Sequence, residues 1–205
     1  SDLLLYIRFL WSGDESFSAW NNLTELQPRA MFMIKAVSVV NLFSHDNYWI
    51  SSLYFSFFSF LCSWSIVKTM VRLDGSLRYI AVVSFLFFPS VVFWSSGLIK
   101  ESMAIASLFF LVAIFLKAWM HERISRTEWV LILVNLWLLW NLKYYYLAVL
   151  LPIVTASLVV RLLFSGRYKV LPWIYRPVVW VVVFLVPLVS ISLVHPNFYP
   201  DRFLH

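Results

Sequence analysis

Cysteine is nearly missing from this chain. Cys62 stands alone inside an apolar run. A single thiol excludes an internal disulfide framework and a cysteine-based metal site. Glycine is almost as scarce, with four in 205 residues, so neither a phosphate-cradling P-loop nor a dinucleotide fingerprint can be assembled. Charge is sparse too: 13% of residues are Asp, Glu, Lys or Arg, about half the share in a soluble domain. No His/Cys cluster has the spacing of metal ligands.

Apolar residues fill the space left by these shortages. The chain is 62% hydrophobic and 20% aromatic, with a mean hydropathy of +0.82. Such a composition predicts an all-α polytopic transmembrane helix bundle. The formal charge of +6 is scattered between apolar runs, as in loops joining membrane helices, and does not point to nucleic acid. The chain opens on Ser1 rather than Met, and residues 1–30 lack the features of a signal peptide. The expectation is that a further segment precedes it.

Runs long enough to span, about 20 residues at 1.5 Å each, recur along the chain. They are Tyr48–Val67, Tyr79–Trp94 with Pro89 inside, Met103–Leu116, extendable to Met120, and Val178–Leu193 with Pro187 inside. Trp129–Val160 would make about 48 Å of helix, too much for one crossing. Asn141-Leu142-Lys143 interrupts it, so it reads as a hairpin of two short helices. The total is six crossings. The connections after the first, third and fifth hold Lys68, Arg72 and Arg78; Lys117, Arg123 and Arg126; and Arg161, Arg167, Lys169 and Arg176. Ten of the 16 basic residues thus face one side, which the positive-inside rule makes the cytoplasm. Residues 1–47 become a non-cytoplasmic segment in which Met31–Phe43 suits an interfacial helix, residues 48–194 the bundle, and residues 195–205 a non-cytoplasmic tail. Trp49, Trp94, Trp129, Trp140 and Trp173, near span ends, suit interfacial belts.

The outer face then collects the polar residues that chemistry needs. Asp14 and Glu15, in WSGDESFSAW, offer a general base or part of a divalent-cation site, although taken in isolation such a pair reads first as solvated surface. Lys100-Glu101 reads as an ion pair holding a tight turn or as an anion site, where Lys100 and the amides opening the next helix would meet a phosphate. Lys143 interrupts a long uncharged run. It reads as a side chain snorkelling to the headgroups or as a partner for a phosphate head at that depth. His45 and Asp46, ahead of the first span, and His195, after the last, suit turns or caps more than ligands. Ser52, Ser56, Ser59 and Ser63 recur at spacings of three and four, giving one helix a small polar face for helix packing within the chain. No acid or base lies near the centre of a clear span, which disfavours a carrier.

Three stretches together carry a resemblance: the segment with Asp14-Glu15, FFPSVVFWSSGLIKES at Phe87–Ser102, and WLLWNLKYYYLAVLLP at Trp137–Pro152. They resemble bacterial polytopic membrane proteins related to the glycosyltransferase C superfamily, which includes protein O-mannosyltransferases and aminoarabinose transferases. The resemblance implies a bacterial inner-membrane enzyme that moves a sugar from a polyprenyl-phosphate donor to an acceptor on the non-cytoplasmic face. In that family an acid in the first outer loop acts as base or metal ligand. The role would fall on Asp14, with Glu15 beside it, and a divalent cation is compatible but not required. The alternative is a non-catalytic subunit or scaffold, in contact with membrane lipid and with protein partners of a larger membrane complex.

Overall fold

The computed structural model describes residues 28–45, 47–164 and 175–194. All regular structure among them is helical: α1 (Pro28–Ser44), α2 (Tyr48–Leu73), a 3-10 turn (Gly75–Leu77), α3 (Arg78–Val82), a π turn (Val83–Phe87), α4 (Pro89–Ser95), α5 (Lys100–Trp119), α6 (Arg126–Phe164) and α7 (Arg176–Val194). Three of these, α2, α5 and α6, are long and apolar enough to cross a bilayer. Residues 75–87 and 89–95, bent by 46° at their junction, make a fourth if taken as one span. The chain divides into two compact units, residues 1–143 and 144–205.

Within the first unit, local chemistry sets each boundary. Asn47 caps α2, its Oδ1 accepting the N–H of Trp49 at 3.0 Å and of Ile50 at 3.4 Å. Asp74 ends α2, and its carboxylate accepts the N–H of Ser76 at 2.9 Å to start the 3-10 turn. Pro89 breaks the next segment: Phe88 ahead of it is extended, at φ −64° and ψ 126°, as the proline ring requires. The π turn before it widens the helix where the regular ladder is interrupted. At the end of α5, the N–H of His121 reaches the Ala118 carbonyl at 3.1 Å and that of Glu122 the Lys117 carbonyl at 3.2 Å. This is a Schellman motif with His121 at the left-handed position, φ +60°.

Helix α2 is inverted relative to a helix in water. Its buried residues include Ser51, Ser59, Cys62, Ser63 and Thr69, while Leu53, Phe57, Phe60, Leu61 and Trp64 are exposed. In lipid the apolar effect does not drive helices together, so small residues that let backbones approach take the interface. Helix α5 answers with Ser102, Ala104, Ala106, Ser107 and Ala113, all buried. Cys62, Ala106, Phe110 and Ile114 form the centre of the contact, with Phe58, Ile124 and Ile132 packed around it.

Side-chain pairings give the directions of the helices. Ser59 meets Ser102 near the start of α5, and Arg72 meets Glu122 just past its end. Helices α2 and α5 are therefore parallel, and the bent segment between them must return through the full thickness of the unit. Helix α5 and the first arm of α6 are antiparallel. Lys117 pairs with Glu128 at one end and Glu101 with Lys143 at the other. The 16 steps along the helix from Glu101 to Lys117 rise about 24 Å, not far short of the hydrocarbon thickness of a bilayer.

A break falls within the segment expected to form a hairpin, but the segment is one helix long enough to cross a bilayer rather than two separate short ones. Residues 126–164 are helical throughout except at Lys143, whose φ of −148° and ψ of 68° leave the helical region. The break is one residue wide rather than the three of Asn141-Leu142-Lys143. In the second unit, the arm of α6 after Lys143 carries a buried Pro152. Trp180 of α7 donates through its indole nitrogen to Ser157 Oγ at 3.4 Å.

Candidate functional site

The site assembles at the end of the first unit opposite the pairing of Arg72 with Glu122 and of Lys117 with Glu128. Its floor is the turn between α4 and α5. Gly97 has φ +83°, a conformation open to glycine and strained for other residues. A Cβ there would meet only Ser52 Oγ, at 3.8 Å, so the requirement for glycine is conformational rather than steric. The serine face of α2 holds this turn. Gly97 N–H donates to Ser56 Oγ at 3.2 Å, and Ser59 Oγ donates to the Ser102 carbonyl at 3.2 Å. Ser102 Oγ lies 2.8 Å from the Ile99 carbonyl and 3.2 Å from that of Gly97, closing the turn on itself. The serine repeat thus packs within the chain, and its partner is the turn.

Helix α5 starts on this floor. Ile99, at its cap position, offers no side-chain acceptor; the Ser102 N–H turns back to the Ile99 carbonyl at 3.1 Å, which leaves the amides of Lys100 and Glu101 for another partner. Glu101 lies in the first turn, where a carboxylate complements the positive end of the helix dipole. Its Oε1 is 3.0 Å from Lys143 Nζ, and the two side chains keep only 24% and 15% of their exposure. The backbone break at Lys143 coincides with the position that supplies the cation. Lys100, partly buried at the head of α5, has no ion-pair partner among the described residues.

Of the other sequence candidates, His45 is a helix stop. It follows α1 with φ +51°, and the N–H of Asn47 returns to the Ser44 carbonyl at 3.1 Å. The corner it makes is closed by Ser44 and Ser51, whose hydroxyls lie 2.6 Å apart, with Ser51 Oγ donating to Asn41 Oδ1 at 2.7 Å. Asp14, Glu15, Asp46 and His195 lie outside the described residues. Lys143 is engaged by a carboxylate, a long-range pairing that local sequence does not disclose. The one signal for it was the isolated opposite charges, Glu101 and Lys143, at span ends facing the same side. Among the described residues no three His, Cys, Asp or Glu side chains gather as a metal site.

Neither the family models, the curated proteins nor the solved structures contain a match to this chain.

Proposed function

We propose that this chain is an integral membrane glycosyltransferase-like protein with six crossings, set in a bacterial inner membrane. It transfers a sugar from a polyprenyl-phosphate donor to an acceptor on the non-cytoplasmic face. One observation carries the reading: Lys100, the uncapped start of α5 and the Glu101–Lys143 pair come together at a broken helix, opposite the basic connections. Cations and helix amides in a water-poor setting suit a phosphate group, and irregular backbone at a span end suits a cavity lining.

In this reading the acceptor hydroxyl oxygen attacks the sugar C1 and its proton passes to Asp14, with Glu15 alongside. The bond from C1 to the phosphate oxygen breaks with inversion, and the lipid phosphate departs with the bonding electrons. Lys100 and the first amides of α5 stabilise the charge gathering on that phosphate, and Lys143 shares its ammonium between Glu101 and the leaving group. Fixed donors of this kind act at the point where charge develops.

A rival reading rests on the same ion pair. Glu101 and Lys143 satisfy each other, as they would in a non-catalytic subunit whose polar residues only clamp helices. Transfer from a lipid-linked sugar, measured for Asp14→Asn, Lys100→Met and Lys143→Met, separates the two. Loss of roughly 100-fold or more in kcat at each position is expected of the enzyme. No transfer by the native chain leaves the subunit reading, and unchanged rates in all three variants overturn the roles given to these residues.

A further inference from the structure

The opposite end of the first unit holds a cavity of about 210 Å³ whose lining includes Leu61, Trp64, Lys68, Arg72, Lys117 and Glu128. We infer that this cavity binds the phosphate group of an anionic phospholipid, at a site independent of the proposed transferase centre.

Its charge is the first reason. Three cations line it against a single carboxylate, and that carboxylate is already saturated. Lys117 Nζ lies 2.7 Å and 2.8 Å from the two oxygens of Glu128, and the Ser125 N–H donates to Oε2 at 2.7 Å. Glu128 therefore repels an incoming anion little. Arg72 gives only Nη1 to an acceptor, Glu122 Oε2 at 2.9 Å. Among the described residues its other guanidinium nitrogens have no acceptor, nor has the ammonium of Lys68. A planar guanidinium beside a point-charge ammonium matches a phosphate diester.

The layout along α2 is the second reason, and it favours a lipid over a soluble anion. Leu61, Trp64, Lys68 and Arg72 follow one another at spacings of three and four, so they form one stripe on the helix. The stripe is apolar toward the middle of α2 and basic toward its end, over about 16 Å. Leu61 and Trp64 keep 48% and 44% of their exposure, so the stripe faces outward rather than into the bundle. An acyl chain against Leu61 and Trp64 brings its headgroup to Lys68 and Arg72. The cavity lies at the end where the basic connections gather, the depth at which pockets between membrane helices meet anionic headgroups.

Binding to the detergent-solubilised full chain tests this, with native mass spectrometry and thermal unfolding as readouts. The probes are phosphatidylglycerol, a diacylglycerol of the same acyl chains, and inorganic phosphate. Lys68→Gln is the variant of choice, since Lys68 is exposed and its loss strands no partner; Arg78→Gln, a basic residue outside the cavity, is the control. Phosphatidylglycerol is expected to bind the native chain and Arg78→Gln alike, and Lys68→Gln about tenfold more weakly, the scale of one charged hydrogen bond. Equal binding to Lys68→Gln, or diacylglycerol binding as well as phosphatidylglycerol, overturns the proposal. Inorganic phosphate producing the whole thermal shift by itself overturns the lipid assignment.

Discussion

Glu101 and Lys143 join the first turn of one helix to the single break in the next, with 3.0 Å between carboxylate and ammonium. Because both are mostly buried, each depends on the other more than a surface pair would. Removing one charge leaves its partner uncompensated, and removing both leaves two neutral groups. Glu101→Gln and Lys143→Met are each expected to lower stability in detergent by about 1–3 kcal/mol. The double variant should recover most of that loss, giving a coupling energy that a double-mutant cycle reads directly.

Gly97 makes the floor of the same site. With φ at +83° and ordinary contact distance to Ser52 Oγ, Gly97→Ala is expected to cost about 1 kcal/mol through backbone strain. Gly97→Asn should cost less and Gly97→Val more, because asparagine tolerates left-handed backbone and β-branched side chains do not. A clash would instead rank the three by volume alone. Thermal unfolding of the series decides between them.

His121 occupies the left-handed position of the Schellman motif that ends α5. Glycine adopts that conformation without a Cβ penalty. His121→Gly is expected to raise the unfolding free energy by about 0.5–1 kcal/mol. A loss of stability would mean that the imidazole makes a contact worth more than the strain it introduces.

The direction of the helices is open to labelling. Ser96 and Ser125 are exposed and lie at opposite ends of the first unit, and Cys62 is buried. In intact cells, a membrane-impermeant maleimide is expected to modify Ser96→Cys from outside and Ser125→Cys only after permeabilisation. Labelling of both from the same side would overturn the orientation and, with it, the shared compartment that the transferase reading needs.

The regular spacing of Lys and Arg along the chain made much of this architecture readable. It put Lys117 with Glu128 and Arg72 with Glu122 at one end, and Lys100, Glu101 and Lys143 at the other. Lys143 marked the break, because a lone charge violates an otherwise apolar helical run, whereas Pro89 was legible only as a proline inside a span and proves to be where that segment bends by 46°. The serine spacing on α2 was equally plain, since a small face at intervals of three and four belongs to a packed helix in lipid. Other features follow from pairings distant in the chain. Nothing local to Lys143 names Glu101 as its partner, and nothing local to Ser56 names the Gly97 amide. His45 drew attention as a loop histidine because a positive φ leaves no mark on composition. Asp14 and Glu15 stand on their adjacent carboxyl groups and on the resemblance, and lie outside the described residues.

The two oppositely oriented ion pairs that bracket α5 and the first arm of α6 bear on how the protein is built. In the proposed orientation Lys143 travels to the far side of the bilayer, and a lone ammonium resists that passage by about 2.5–3.5 kcal/mol at mid-membrane. Travelling beside Glu101, within a helical hairpin already tied at its base by Lys117 and Glu128, it crosses as half of a neutral couple. That orientation therefore favours delivery of these two helices as one preassembled wedge rather than one after the other.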